Sequence, residues 1–170
     1  MNEQKKFKQE CTQEILSQGK DEQLLESTQK WIASSFRKKY PYHFKCLGRP
    51  IIQYPQDMVA IQEIIWDIKP DLIIETGIAH GGSLILSASM LAQIDMMEAI
   101  ESRKTIDPSH SERKVLGIDI DIREHNKTAI EKHPLSSRIQ MIQGSSIDPD
   151  IINQVKNIAN NYAVSYTHLR

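Results

Sequence analysis

The sequence has few of the features that mark several large classes of protein. Its two cysteines, Cys11 and Cys46, are too few for a disulfide framework and form no CxxC pair, which predicts reduced thiols. No apolar run approaches the roughly 20 residues of a membrane-spanning helix, and the first residues include no apolar segment of a secretory signal. The formal net charge is -1, so the basic surplus of a generic nucleic-acid binder is missing. We therefore expect a soluble, cytoplasmic protein with no membrane span and no nucleic-acid partner.

The length and bulk composition are those of an ordinary globular domain. The chain has 170 residues, of which 39% are hydrophobic and 25% are charged, and this is about one domain in size. Residues 1–39 contain no proline, and their one glycine, Gly19, predicts a break between two helices. The second helix has an apolar face with helical spacing, made of Leu24, Leu25, Thr28, Trp31, Ile32 and Phe36. We predict that residues 1–45 form a helical appendage that packs on the core or on a partner subunit, which leaves a homo-oligomer open.

Strands and helices alternate through the rest of the chain. Pro55 opens a helix that ends before Pro70. Three short apolar strands follow, each succeeded by a helix, and this order predicts an α/β sandwich with a mostly parallel sheet. The predicted strands are 71–76, 114–120 and 138–143, the predicted helices are 83–100, 124–132 and 148–160, a short extended piece covers 50–53, and 101–113 is an exposed polar loop.

The strongest local signal for chemistry is the glycine loop E-T-G-I-A-H-G-G-S, residues 75–83, between a predicted strand and a predicted helix. Gly77 allows a tight turn, and Gly81 and Gly82 leave room for a ligand to approach the backbone. The following helix offers free amide groups and a positive dipole end to a negative group, with the hydroxyl of Ser83 beside them. Open α/β sheets bind ligands at this carboxyl edge of the strands. The alternative is a turn that serves chain reversal only.

The spacing of the glycines in this loop distinguishes between possible classes of ligand. A dinucleotide fingerprint reads GxGxxG, and the second glycine is missing after Gly77. A Walker A loop needs a lysine before its hydroxyl residue, and Gly82 precedes Ser83 directly. An acidic residue before the loop, Glu75, suits a ligand with an ammonium group better than a phosphate. Pyrophosphate binding is therefore disfavoured.

Two further polar signals follow the second and third predicted strands. Asp119 ends the apolar run of the second strand, where a carboxylate can accept hydrogen bonds from the hydroxyls of a ribose. The Gly144-Ser145-Ser146 turn follows the third strand, and Ser146 or its backbone can bond to an adenine edge. Each signal alone is also ordinary strand-end or turn chemistry. Three signals in order, each after its strand, are much more specific.

The histidines and nucleophiles offer little for other reaction classes. None of the six histidines belongs to an HExxH motif or another close metal pair. His110 and Glu112 form an HxE triple in a polar loop without an evident third ligand, which disfavours an iron oxygenase. His80 is the exception, because it lies inside the glycine loop and faces either an acceptor site or solvent. No Gly-x-Ser-x-Gly elbow is present.

These motifs resemble those of class I S-adenosylmethionine-dependent methyltransferases. More narrowly, residues 45–160 resemble the cephalosporin hydroxylase / rhamnosyl O-methyltransferase family. The pieces that carry the resemblance are L-G-R-P-I-I-Q-Y-P-Q-D-M, K-P-D-L-I-I-E-T-G-I-A-H-G-G-S and G-I-D-I-D-I-R. The resemblance implies a Rossmann-like methyltransferase fold, a three-layer sandwich preceded by N-terminal helices. It also implies S-adenosylmethionine as cofactor and an oxygen of a sugar, glycolipid or antibiotic-like small molecule as acceptor.

The resemblance assigns a cofactor role to seven residues. Gly77 and Gly81 would leave the backbone open for the methionine part of the cofactor. Ser83 would bind the carboxylate of the methionine part, and Glu75 would lie near its amino end.

The remaining assignments concern the nucleoside and the entrance. Asp119 would hold the ribose hydroxyls, and Ser146 would contact the adenine. Gln53, in the loop before the first core helix, would close over the cofactor. No catalytic residue and no metal ligand is assigned.

The end of the chain departs from the family pattern. Related enzymes continue with a fourth strand that ends in a segment able to bind a divalent metal such as Mg. We predict that residues 46–162 are the first part of a Rossmann-like cofactor-binding domain, incomplete at its C-terminus. Residues 163–170 then read as a non-native tail, and the chain as a truncated fragment of a longer protein. Two alternatives stay open: an inactive cofactor-binding or structural α/β fragment, and an NAD-dependent oxidoreductase, which the glycine spacing disfavours.

Overall fold

The computed structural model describes residues 2–163 and, as backbone alone, residues 165–169. The chain divides into two compact units, Met1–Pro41 and Tyr42–Arg170. Of the predicted tail, residues 163–170, Ala163 alone is described with its side chain. The backbone of Ser165–Leu169 forms a strand, which the sequence did not predict.

The first unit consists of two helices, α1 (Glu3–Gln18) and α2 (Glu22–Arg37). The side chains of Asn2 and Asp21 accept hydrogen bonds from backbone amides of the first turns and so begin the two helices. Gly19 ends α1, which confirms the predicted break. Neither helix has a buried residue.

The second unit contains a small antiparallel hairpin and a parallel sheet with helices. Its elements are the 3-10 helices Tyr40–Tyr42, which starts just before the unit, and Ser136–Arg138, the strands β1 (Phe44–Cys46), β2 (Arg49–Ile51), β3 (Leu72–Thr76), β4 (Lys114–Asp119), β5 (Ile139–Gln143) and β6 (Ser165–Leu169), and the helices α3 (Pro55–Ile68), α4 (Gly82–Ser102), α5 (Glu124–Glu131) and α6 (Pro149–Ala159). The three predicted apolar strands are confirmed as β3, β4 and β5.

The sheet has the strand order β5-β4-β3-β6, and all neighbouring strands are parallel. This is the order 3-2-1-4 of a doubly wound α/β fold. Ile73 pairs with Val115 in the register of β3 and β4. The carboxyl ends of these strands consequently lie side by side.

Helices cover both faces of the sheet, which confirms the three-layer α/β sandwich. Ile73 and Val115 point to one face and pack with residues of α3, α4 and α5. Leu72 and Leu116 point to the other face, where α6 packs. The strand alternation therefore buries β3 and β4 on both sides, as their nearly continuous apolar sequence requires.

Helix α4 forms the centre of one layer. Among the described helices it is the one that is long and apolar enough to cross a membrane by length and composition alone. Of that apolar window, 44% is buried inside the protein. Its buried residues, which include Leu84, Ile85 and Leu91, belong to the core clusters of the sheet and the hairpin. A core helix of a soluble protein passes the same test.

Candidate functional site

The glycine loop joins the carboxyl end of β3 to the first turn of α4. Three of its residues have left-handed backbone conformations: Gly77 with φ 85°, Ala79 with φ 47° and Gly81 with φ 80°. Only glycine adopts this region without cost, so Ala79 is held there by its surroundings. The amide of Gly77 donates to the carbonyl of Ile118 on β4 over 2.8 Å, which extends the sheet by one bond into the loop.

The chain's own conformation and packing explain two of the loop glycines, Gly81 mainly through its left-handed φ and Gly82 through the backbone atoms beside it. A Cβ at Gly81 would overlap the side chain of Ile130 in α5. A Cβ at Gly82 would overlap the carbonyl of Pro50 and lie 2.7 Å from the Cα of Ile51. The expectation that both glycines make room for a ligand is therefore not needed to explain them, because α5 and β2 already occupy that space.

Two predicted site residues lie beneath the loop. Glu75 is 1% exposed and Ser83 is 3% exposed. The hydroxyl of Ser83 donates to Oε1 of Glu75, which joins the end of β3 to the first turn of α4. This bond satisfies part of the hydrogen-bonding capacity of a buried carboxyl group.

Asp119 binds the amide side of the glycine loop. Its Oδ2 accepts hydrogen bonds from the amides of Ile78, over 2.7 Å, and Ala79, over 3.2 Å. Its Oδ1 accepts from the amide of Asp121 over 3.1 Å. An ionised carboxylate offers about four acceptor positions, so three are used and about one remains.

Arg49 and Asn126 bind the carbonyl side of the same loop. Nε and Nη2 of Arg49 donate to the carbonyl of His80 over 3.0 and 2.6 Å. Nη2 also donates to Oδ1 of Asn126 over 3.1 Å, and Nδ2 of Asn126 donates to the carbonyl of Ala79 over 2.9 Å. Asn126 is 4% exposed. The loop is thus held from both sides by side chains of β2, β4 and α5.

Two cavities, each of about 300 Å³, meet at Asp119. One lies between the loop and the start of α5, and the other lies over the ends of β3, β4 and β5. The first is lined by Ala79, His80, Asp119, Asp121, Arg123 and Asn126. The second is lined by Thr76, Gly77, Ile118, Asp119, Ile120, Gly144, Ser145 and Ser146.

The structure brings three predicted site residues, Gly77, Asp119 and Ser146, to the walls of these cavities. Glu75, Gly81 and Ser83 are buried behind the loop, and Gln53 is half-buried in the bend before α3, away from both walls. The individual ligand roles of all seven residues stay predictions. Sequence reasoning missed Arg49 and Asn126, which are 77 residues apart and share no local pattern.

A family model described as Rhamnosyl O-methyltransferase/CmcI matches residues 38–168, which is most of the chain. The chain belongs to this family. The match includes β3 with the glycine loop, β4 with Asp119 and β5 with the Gly144–Ser146 turn. The family predicted from the motifs is therefore confirmed.

Curated members of the family are similar to part of the chain. Rhamnosyl O-methyltransferases from Mycobacterium tuberculosis and Mycobacterium bovis are 28% identical over 106 residues, which is 62% of this chain. The chain spans 36% of the length of these relatives. Solved structures of CmcI are also similar: apo CmcI has 19% identity and a TM-score of 0.41 over 68% of this chain and 41% of its own. A CmcI complex with Mg and SAM has 20% identity and a TM-score of 0.40 over 66% of this chain and 40% of its own.

The described residues of this family member supply no ligand set for a metal ion. Among them, no group of three or more histidine, cysteine, aspartate or glutamate side chains is placed to hold one. In the HxE triple, Nδ1 of His110 lies 3.1 Å from Oδ2 of Asp107 on the exposed loop. The resemblance places the ligands of a divalent metal in the segment that ends a fourth strand, not among these residues.

A second polar cluster lies at the amino ends of the strands. We call it the ion-pair cluster; its members are Asp95, Glu98, Ser111, Arg113 and Arg138. Arg138, which is 2% exposed, donates to Asp95 and Ser111. Arg113 donates to Asp95, and two parallel bonds of 3.0 and 3.1 Å join it to Glu98. The predicted loop 101–113 is therefore not exposed throughout, because Ser111 and Arg113 join this cluster.

The charges of the ion-pair cluster support one another. Burial by itself raises the pKa of Asp95, but hydrogen bonds from Ser111, Arg113 and Arg138 outweigh this effect and hold the pKa below its ordinary value. Burial by itself lowers the pKa of Arg113, but its bonds to Asp95 and Glu98 outweigh this effect and hold the pKa above its ordinary value. Both shifts favour the charged forms of Asp95 and Arg113.

Proposed function

We propose that the chain is the cofactor-binding part of an S-adenosylmethionine-dependent O-methyltransferase. The observation that carries this proposal is the position of Asp119 between two cavities at the carboxyl edge of the parallel sheet. Ligands of open α/β sheets bind at this edge. The family supports a methyltransferase, and the names of the mycobacterial relatives support a sugar hydroxyl as acceptor.

The residues that line the second cavity suit a nucleoside. Asp119 has about one acceptor position left, which fits one ribose hydroxyl. Binding both hydroxyls would require Asp119 to release one amide bond. The turn with Gly144 and Ser146 offers backbone groups and a hydroxyl to an adenine edge at the end of β5.

The glycine loop suits the amino-acid part of the cofactor. The loop is fixed by hydrogen bonds on both sides, so little conformational entropy is lost when a ligand binds. Glu75 places a buried carboxyl group beneath the loop, and Ser83 orients it through its hydroxyl. When bound, S-adenosylmethionine supplies a methyl group on a sulfonium, and the chain's task is to hold the acceptor oxygen in line with it.

The acceptor is proposed as a class only. A sugar, a glycolipid or an antibiotic-like small molecule each presents a hydroxyl, and the described residues assign no catalytic base. A cytoplasmic location, a homo-oligomer and the division into a helical appendage and a cofactor domain stay proposals of the same kind.

One observation favours a second candidate, a structural α/β module without a ligand. Packing against Ile130, Pro50 and Ile51 already explains Gly81 and Gly82. Under this alternative the glycine loop only reverses the chain, and the cavities beside Asp119 hold solvent.

Calorimetric titration of S-adenosylhomocysteine into the 170-residue chain distinguishes the two candidates. NAD serves as control ligand, and circular dichroism verifies that the chain is folded. We expect saturable binding of S-adenosylhomocysteine and none of NAD. A folded chain that binds neither would contradict the methyltransferase proposal and favour the structural module, whereas binding of NAD alone would indicate an oxidoreductase.

A further inference from the structure

The carbonyl side of the glycine loop is held by two side chains that the sequence did not identify as site residues. Arg49 of β2 donates two bonds to the carbonyl of His80, and Asn126 of α5 donates to the carbonyl of Ala79. We propose that Arg49 and Asn126 are positioning residues for the cofactor, which they affect through the loop. This inference rests on the proposed function.

The bond that Asn126 makes to the loop depends on Arg49. Asn126 can donate to Ala79 only if its amide nitrogen, and not its oxygen, faces that carbonyl. Arg49 fixes this orientation, because its Nη2 donates to the amide oxygen of Asn126 over 3.1 Å. In the tautomer with a proton on Nδ1, His80 favours the same orientation, since this nitrogen lies 3.4 Å from that oxygen. Arg49 therefore acts on the loop directly at His80 and indirectly at Ala79.

Ala79 is the residue on which these contacts converge. It has the left-handed φ of 47°, which an alanine adopts at a cost. Its carbonyl is held by Asn126, and its amide is held by Asp119, the residue proposed to contact the ribose. A shift of Ala79 would consequently change the geometry at Asp119 and both cavities beside it.

The charge of Arg49 supports a role beyond packing. Among the described residues, no carboxylate lies within ion-pair distance of Arg49, and its acceptors are a carbonyl and an amide oxygen. Arg113, at the other end of β4, contacts Asp95 and Glu98 instead. The guanidinium of Arg49 thus orients the loop and does not neutralise an acid.

The variants follow from this geometry. Arg49→Met removes the bonds to His80 and Asn126 while keeping an apolar stem of similar length. Asn126→Asp keeps an acceptor for Arg49 but loses the donor to Ala79. Arg113→Met is the matched control, because it removes an arginine with at least as many bonds at the opposite end of β4. The double variant of Arg49 and Asn126 tests whether the two act as one unit.

The experiment measures the Kd of S-adenosylhomocysteine by calorimetry and the urea midpoint of each variant, with hydrogen exchange of the loop peptide. We expect Arg49→Met and Asn126→Asp to weaken binding on the order of tenfold and to speed exchange at residues 77–82. The double variant should bind about as weakly as the weaker single variant. Arg113→Met should lower the urea midpoint at least as much, yet bind normally while folded.

Each outcome decides the inference. Normal binding by both loop variants overturns it and leaves the proposed function intact, as does an equal loss of binding in folded Arg113→Met. A folded wild-type chain that does not bind overturns the proposed function and this inference together. Should Arg49→Met not fold, Arg49→Lys, which keeps the charge but not the fork, and Asn126→Asp give the same decision.

Discussion

The two ends of β4 contain similar charged groups with different partners. At the amino end, Arg113 and Arg138 face Asp95, so opposite charges meet in a partly buried place. At the carboxyl end, Asp119 accepts from backbone amides and Arg49 donates to a backbone carbonyl. The first arrangement neutralises charge and fixes three segments of the chain. The second orients a loop through bonds to backbone groups, and Asp119 lies beside two cavities.

The difference indicates where stability and binding are determined. Removing one partner of a buried ion pair leaves the other charge uncompensated, which is strongly destabilising. Removing Asp119 or Arg49 leaves backbone groups without a partner rather than a buried opposite charge, so the cost to stability is smaller.

Asp95→Ala should have the largest effect on stability. It leaves Arg113 and Arg138 close together without their shared carboxylate, and Arg138 is 2% exposed. We expect a loss of about 3–5 kcal/mol in the free energy of unfolding, measured by urea denaturation. Asp107→Ala, on the exposed loop after α4, is the control and should change the free energy of unfolding much less, because its partner His110 is exposed to solvent. Similar losses for both variants would show that the ion-pair cluster does not contribute specially to stability.

Asp119→Ala should have the largest effect on binding. It removes the acceptor for the amides of Ile78 and Ala79 and the proposed partner of the ribose. We expect S-adenosylhomocysteine to bind more weakly by about 1.5–3 kcal/mol, as measured by calorimetry. Asp121→Ala, which changes a neighbouring carboxylate of the same cavity wall, is the control. Unchanged affinity of the Asp119 variant would take this residue out of the site.

Gly82→Ala tests whether packing alone requires this loop glycine. The added Cβ would overlap backbone atoms of Pro50 and Ile51, which cannot move as a flexible side chain can. We expect a loss of about 1–3 kcal/mol. Gly48→Ala is the matched control, because Gly48 has a φ of 89° but no atom within 4 Å of its added Cβ. Its cost should be about 1 kcal/mol, from backbone strain alone; a smaller loss at Gly82 than at Gly48 would contradict the packing explanation.

Acid should reduce the contribution of the ion-pair cluster to stability, with a smaller effect than the substitutions above. The pKa of Asp95 is lower in the folded protein than the ordinary value of an aspartate, about 3.9. Its stabilising contribution is therefore complete above that pH and is lost as the pH falls through the lower, folded-state pKa. Urea midpoints of wild type and Asp95→Ala should consequently converge below about pH 4. Curves that stay parallel into acid would show that Asp95 does not cause the difference.

The elements that the sequence predicted well are those with strong local patterns. Proline at the start and end of α3, continuous apolar runs in β3 and β4, and the capping Asp148 of α6 each define their element within a few residues. The glycine loop and its place at the sheet edge follow from the same local information.

The parts that the sequence did not predict depend on distant partners. β1 has three residues and is defined only by its pairing with β2. Ser111 and Arg113 lie in a polar stretch, and their partial burial depends on Asp95 and Arg138, which are 16 to 27 residues away in the interactions concerned. A Cβ added at Gly81 would meet α5, and one added at Gly82 would meet β2. A short stretch of sequence, such as one helix or strand, does not contain both members of any of these pairs.

The span of the contacts made by Arg49 also bears on how the protein acquires its site. The arginine bonds to residues 31 and 77 positions further along the chain. Such long closures carry an entropic cost that helices formed from neighbouring residues avoid. The glycine loop can therefore reach its final conformation only after α5 has been synthesised and docked. During refolding, recovery of S-adenosylhomocysteine binding should consequently lag behind recovery of helix content.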